Sequence, residues 1–157
     1  MTEPWRDATW IEQTQRMLDS WVRWIGHELI ERSGDAADDA RVLYDAPFVV
    51  VAHGTQADPI LNYANQSALQ LWEVDLPTLL QMPSRLTAEP LHRDERARLL
   101  ERTTRDGYVD DYRGIRISST GRRFLIEQAT VWNVVSSDGV PAGQAATFSR
   151  WTLVNSE

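Results

Sequence analysis

The chain has 157 residues, 42% hydrophobic and 25% charged, which suits one domain with a substantial core. Its net charge of -7 disfavours non-specific nucleic-acid binding, because phosphate contacts need a positive surface. The lack of cysteine excludes disulfides, thiolate metal sites and cysteine nucleophiles, while His27, His53 and His92 lie too far apart in sequence to match a metal-ligand spacing.

No apolar run approaches the roughly 20 residues that a membrane span needs, and the N-terminus has no signal-peptide pattern. The expectation is a soluble cytoplasmic protein with no membrane and no nucleic-acid partner.

In chain order, residues 5–32 read as one amphipathic helix. Trp10, Met17, Leu18, Trp21, Trp24, Ile25 and Leu29 recur at three- and four-residue intervals, with Gly34 as a stop. Residues 35–42 read as a polar connector. "APFVVVAHG" contains a short apolar strand, Phe48 to Ala52, and "HGTQADP" is a turn. Ile60 to Tyr63 is a second strand, and Asn65 is the N-cap of a helix over "QSALQLWEV". A helical turn in "DLPTLLQM" and a loop over "PSRLTAEP" follow. "HRDERARLLERTTRDG" is a clear helix stopped by Gly107. Its arginines, at 93, 96, 98, 102 and 105, alternate with acids and read as a solvated face. Three strands close the chain: Tyr108 to Ile117, Arg123 to Val135 and Gln144 to Trp151. Their connections, "SSTG" and "SSDG", are hairpin turns. Segregated strands and helices imply an α+β fold with an antiparallel sheet.

That order resembles a PAS domain over about residues 43–151. "NYANQSALQLWEV" resembles the entry to the first PAS helix, and "HRDERARLLERTTRDGY" the long helix before the third strand. "LYDAPFVVVAHGTQADPILNYAN", "MPSRLTAEP", "GYVDDYRGIRISSTGRRFLIEQATVWNV" and "GQAATFSRW" together resemble the MEKHLA domain, a PAS-related family of plant transcription factors and of stand-alone bacterial and algal proteins. The stand-alone type is expected here. The resemblance implies a five-stranded antiparallel sheet with helices on one face, preceded by the N-terminal amphipathic helix. The chain then divides into residues 1–34, a connector over 35–42 and a domain over 43–157.

The strand 123–135 carries Glu127 and Gln128 side by side among apolar residues. Strict alternation sends them to opposite faces. By comparison with flavin-binding PAS relatives, Glu127, Ala129 and Val131 face the pocket, and Phe124, Ile126 and Trp132 meet the N-terminal helix. A one-residue slip exchanges the two sets. A buried carboxylate needs a partner, and Arg116, Arg85 and His53 are candidates. Arg85 is also expected to pair with Glu89. The proposed ligand-binding set is Glu127, His53, Arg85, Asn65, Ala129 and Thr147. The proposed interface is Trp10, Trp21, Trp24, Phe124, Ile126 and Trp132, within one chain or across a homodimer, the expected assembly.

The resemblance brings two cofactors into view. A covalent flavin adduct is excluded for want of cysteine. Haem would require ligation by His92, whose sequence context occurs equally in PAS domains without haem. No metal site is expected, and the cofactor is left unassigned. Three functional readings remain open. One is a PAS-like sensory module without a fused output domain, which binds a small molecule or a protein partner. The second is a small enzyme with Glu127 as general base, helped by His53 or Arg85. The third is a structural dimerisation module with a filled core.

Overall fold

The computed structural model of the chain describes residues 3–154. The domain limits expected at residues 1 and 157 lie outside that range. Helix α1 (Ala8–Ile25) starts at Asp7, whose carboxylate accepts from the Trp10 N–H. It ends at Gly26, which takes a left-handed φ of 92°, a conformation that glycine adopts without steric cost. The helix therefore stops seven residues before the expected limit of 32. The stretch read as a polar connector forms a second helix, α2 (Ala36–Tyr44), capped by the Asp35 side chain. One of its acids, Asp39, is only 2% exposed. Asp39 accepts from Ser33 N–H at 2.9 Å and faces Arg32 Nε at 3.6 Å, so the polarity of this segment is satisfied internally.

Strand β1 (Val49–His53) leads through the Asp58-Pro59 turn to β2 (Leu61–Ala64). Then come α3 (Gln66–Trp72), α4 (Leu76–Leu79) and α5 (Arg93–Asp106), with short 3-10 turns at Ser84–Thr87 and Pro90–His92 between α4 and α5. Strands β3 (Tyr108–Ile117), β4 (Arg123–Val135), β5 (Pro141–Phe148) and β6 (Arg150–Val154) complete the chain. The sheet is antiparallel, in the order β2-β1-β5-β4-β3. After Ser149, β6 continues the line of β5 along β4, pairing Glu127 with Arg150 and Arg123 with Val154. The last expected strand thus runs on to Val154 as two pieces.

The register explains the adjacent polar pair in β4. Val109 opposes Val131 and Tyr112 opposes Ala129, so β3 holds one extra residue there; Tyr112 to Gly114 then opposes Ala129 to Ile126, so β4 holds the next extra residue. The second bulge is Gln128, a non-glycine residue at φ 53°. A bulge breaks the alternation of side chains between faces. Phe124 and Ile126 therefore share the inner face with Ala129 and Val131, while Trp132 and Val134 face outward. The expectation that Phe124 and Ile126 lie under the N-terminal helix is corrected on this ground.

The outer face is covered by α1 and α2 of the same chain. Trp10, Met17, Leu18 and Trp21 pack with Ala40, Leu43, Val50, Ala52, Tyr63, Trp132 and Val134. Trp21 meets Trp132 edge-on at 5.0 Å, and Trp132 Nε1 donates to the Met17 carbonyl at 3.2 Å. Trp24 Nε1 donates to the Asn133 carbonyl at 2.8 Å. Each fully buried large apolar side chain contributes about 1.5–3 kcal/mol. Helices α3, α4 and α5 cover the opposite, inner face.

Candidate functional site

A cavity of about 70 Å³ lies between α5 and the inner sheet face. Val51 and His53 line it from β1, Ile126, Ala129 and Val131 from β4, and Ala146 and Phe148 from β5. Trp72 closes it from α3. Helix α5 presents Arg96, Leu99 and Leu100, a spacing of three and four residues that puts all three on one helical face. The end near the C-terminus of α5 is tied by amides. Gln144 Nε2 donates to the Leu100 carbonyl at 3.1 Å, and Asn133 Nδ2 to the Thr103 carbonyl at 3.0 Å.

Two guanidiniums line this largely apolar space. Arg116, from β3, is 7% exposed. Its one side-chain hydrogen bond among the described residues runs from Nη1 to the Ile115 carbonyl at 3.0 Å, and its guanidinium lies 5.2 Å from the centre of the Tyr112 ring. Arg96 donates from Nη2 to Ser84 Oγ at 2.6 Å. Neither makes an ion pair among the described residues. Burial, with the neighbouring Arg116 charge adding to it, pushes Arg96 down to about 10. A guanidinium has five N–H donors, so both keep unused donors.

His53 brings the complementary group. Its Nδ1–H donates to the Gly54 carbonyl at 3.0 Å, which leaves Nε2 as a lone-pair acceptor. Nε2 is buried without a partner. Burial, and to a lesser degree Arg96, holds this imidazole below its usual range against the opposing effect of the Gly54 hydrogen bond. The Tyr112 hydroxyl is also buried without a hydrogen bond, and burial pushes it up to about 12. A Cβ on Gly114 would sit 2.0 Å from that hydroxyl, so glycine is what lets the Tyr112 ring lie there.

Of the residues proposed from sequence, His53 and Ala129 line the cavity; the other four do not. Glu127 is partly exposed and paired in register with Arg150 outside the cavity. It meets none of Arg116, Arg85 or His53, because the bulge at Gln128 reverses its face. Arg85 is exposed and pairs with Asp58 at 3.2 Å, while Glu89 binds Arg123 at 2.6 and 2.8 Å. Asn65 is fully buried and uses its amide structurally. Its Oδ1 accepts from Val50 and Ala68 N–H, and its Nδ2 donates to the Leu43 and Phe48 carbonyls. Thr147 Oγ1 donates to the Val49 carbonyl at 2.8 Å. Arg96, expected on a solvated face, turns inward and lines the cavity. Its spacing to Leu99 and Leu100 is the signal that marks it. No Asp or Glu lines the cavity, so the general base expected in Glu127 has no place there.

This sheet, with its helices and cavity, defines a PAS-class domain. Solved structures give the same fold at low identity. A PAS domain from Colwellia psychrerythraea is 11% identical with a TM-score of 0.62, over 76% of this chain and 97% of that one. A light-oxygen-voltage domain studied with a flavin analogue is 18% identical with a TM-score of 0.53, over 74% and 84%. The light-state dimer of the fungal photoreceptor Vivid is 12% identical with a TM-score of 0.57, over 83% and 90%.

Within that class the chain belongs to the MEKHLA domain family, whose model matches residues 11–153. The homeobox-leucine zipper protein ATHB-9 of Arabidopsis thaliana is 32% identical over 100 residues, covering 64% of this chain and 12% of the relative. HOX29 of Oryza sativa subsp. indica is 27% identical over 149 residues, covering 92% and 17%. The chain thus spans a small part of the length of these relatives. The family match takes in most of α1 and all of α2. No helix of the described residues is long and apolar enough to cross a membrane. A flavin or haem does not fit this cavity, since even drug-sized ligands occupy roughly 300–1,000 Å³. His92 is not among its lining residues.

Proposed function

We propose that the chain is a PAS-like sensory module that reads a small molecule held in the cavity under α5. One observation carries the reading: two guanidiniums without ion-pair partners among the described residues, Arg116 buried and Arg96 partly buried, line a largely apolar cavity. Unpaired buried charge is costly, and a bound molecule would offset that cost. The contrary reading, a structural module with a filled core, gives no account of a buried Arg116 guanidinium without an ion-pair partner among the described residues.

The output passes by contact with a second copy or another protein. Edge strand β6 supports this, because it presents Leu153, 57% exposed, and the half-exposed Trp151. Vivid, similar in fold, forms a light-state dimer.

The test is native mass spectrometry of the freshly purified full chain beside Ala129→Leu, which fills the cavity. The expected result is a small-molecule adduct on the first and none on the second. A bare mass for the unmodified chain, with no compound of a metabolite library raising its melting temperature above the response of Ala129→Leu, overturns the reading.

A further inference from the structure

We propose that the molecule held here is a short 2-hydroxycarboxylate, its carboxylate clasped by Arg96 and Arg116 and its hydroxyl donated to His53 Nε2. The inference rests on the reading of this cavity as the ligand site and names the chemistry that the site selects.

The anion follows from the arginines. Planar guanidinium forks match carboxylate geometry and bind it in bidentate fashion. The nearby acids are already engaged: Asp58 with Arg85, and Glu89 with Arg123. Glu95 lies beside Tyr112 and makes no ion pair with either arginine. Asp58 acts on Arg96 only at a distance, so the protein supplies two cations to this space and lines it with no carboxylate, although its overall charge is -7. The Tyr112 hydroxyl is a further donor in reach of the same space.

The hydroxyl follows from His53. With Nδ1–H committed to Gly54, Nε2 can only accept. A carboxylate alone has nothing to donate to it, so the ligand must carry an O–H or N–H of its own. The carbon body follows from Phe148, Ile126 and Val131, which offer no hydrogen bond to a purely polar ion such as phosphate; the Trp72 Nε1–H, buried without a partner, is one more donor for the carboxylate. The size follows from the cavity. Its volume of about 70 Å³ limits the acid to a few carbons.

The experiment is titration calorimetry on the full chain with L-lactate, propionate, L-lactamide and inorganic phosphate, repeated on Arg96→Met, Arg116→Met and His53→Phe. L-Lactate is expected to bind saturably. Propionate should bind several-fold more weakly, and L-lactamide and phosphate at least tenfold more weakly. Each arginine variant should weaken lactate at least tenfold, and His53→Phe should make lactate and propionate equal. Lactamide as tight as lactate would overturn the anion, phosphate tighter than lactate the carbon body, and propionate as tight as lactate the His53 contact. If no probe binds while native mass spectrometry still shows an adduct, the hydroxyacid falls and the cavity reading stands; with neither, both fall. Should a variant fail to fold by circular dichroism, the ranking of the four probes on the unmodified chain decides.

Discussion

Against the outer face of the sheet, α1 lays tryptophans onto a tryptophan; against the inner face, α5 brings an arginine to a histidine and a second arginine. Both faces are buried by helices, but their contents differ in kind. The outer cluster of Trp10, Trp21 and Trp132 with Met17 and Leu18 is apolar and closely packed. It holds no charged group: Ser20 Oγ accepts from Val135 N–H at 2.9 Å, and its buried atoms without a partner are the neutral Trp10 Nε1, Trp21 Nε1 and Tyr63 hydroxyl. The inner face instead sets two guanidiniums without ion-pair partners among the described residues, and an imidazole, around a cavity. A face built only for stability would not retain unpaired charge. The difference locates the close-packed apolar core on one side of the sheet and the candidate site on the other.

Removing residues 1–34 is the largest insult to this division. It uncovers Trp132, Val134 and Tyr63 together, and the product is expected to aggregate or to lose cooperative unfolding in thermal melts. A soluble, cooperatively folding truncation would show that α1 does not support the outer core. A single cut at the same place, Trp132→Ala, is expected to cost about 3–5 kcal/mol, the range for deleting a buried aromatic. Chemical denaturation of the variant beside the unmodified chain measures it.

On the inner face the corresponding change is smaller and acts on the site. Gly114→Ala puts a methyl group where the Tyr112 hydroxyl lies, and overpacking of this kind costs about 1–3 kcal/mol. The displaced Tyr112 ring would no longer stack on Arg116. The expected outcome is a moderate loss of stability with a larger loss of ligand affinity; unchanged affinity in a folded Gly114→Ala protein would remove Tyr112 from the site.

What the sequence disclosed follows the same division. The outer face was legible because tryptophan at helical spacing has one physical outcome, burial, and Trp10, Trp21 and Trp24 do pack around Trp132. The succession of strands along the chain was legible from apolar runs and short turns, while the split of the last one into β5 and β6 was not. Three other things were hidden. The connector concealed α2 because Asp35 and Asp39, which look like solvated polar residues, cap and anchor a helix through local hydrogen bonds. Arg96 was hidden because a charge on a helix is ordinarily solvated. The facing of β4 was hidden because two bulges cancel: strand lengths and turns match an unbroken ladder, while the side chains exchange faces midway. His53 and Ala129 were found since they lie outside the exchanged segment or beyond its bulge, and Glu127 was misplaced because it precedes the bulge.

The smallest effects sharpen this point, because they separate the bulge from the acid beside it. Gln128 stands at φ 53°, a left-handed conformation that costs an ordinary residue about 1–2 kcal/mol, whereas glycine adopts it freely. Gln128→Gly gives up one exposed hydrogen bond, from Arg150 Nη1 at 2.7 Å, and makes the unfolded chain more flexible. The net expectation is a gain of roughly 0.5–1 kcal/mol after those losses. Glu127→Ala, one residue away, is expected to change stability by no more than about 0.5 kcal/mol, as at other partly exposed positions. It should leave any cavity-bound molecule in place, since Glu127 is not among the residues that line the cavity. Paired thermal melts and native mass spectra of the two variants decide. If Glu127→Ala strips the ligand or costs as much as a core deletion, β4 alternates without interruption, the bulge is not formed in solution, and the assignment of Ile126 and Ala129 to one face fails with it.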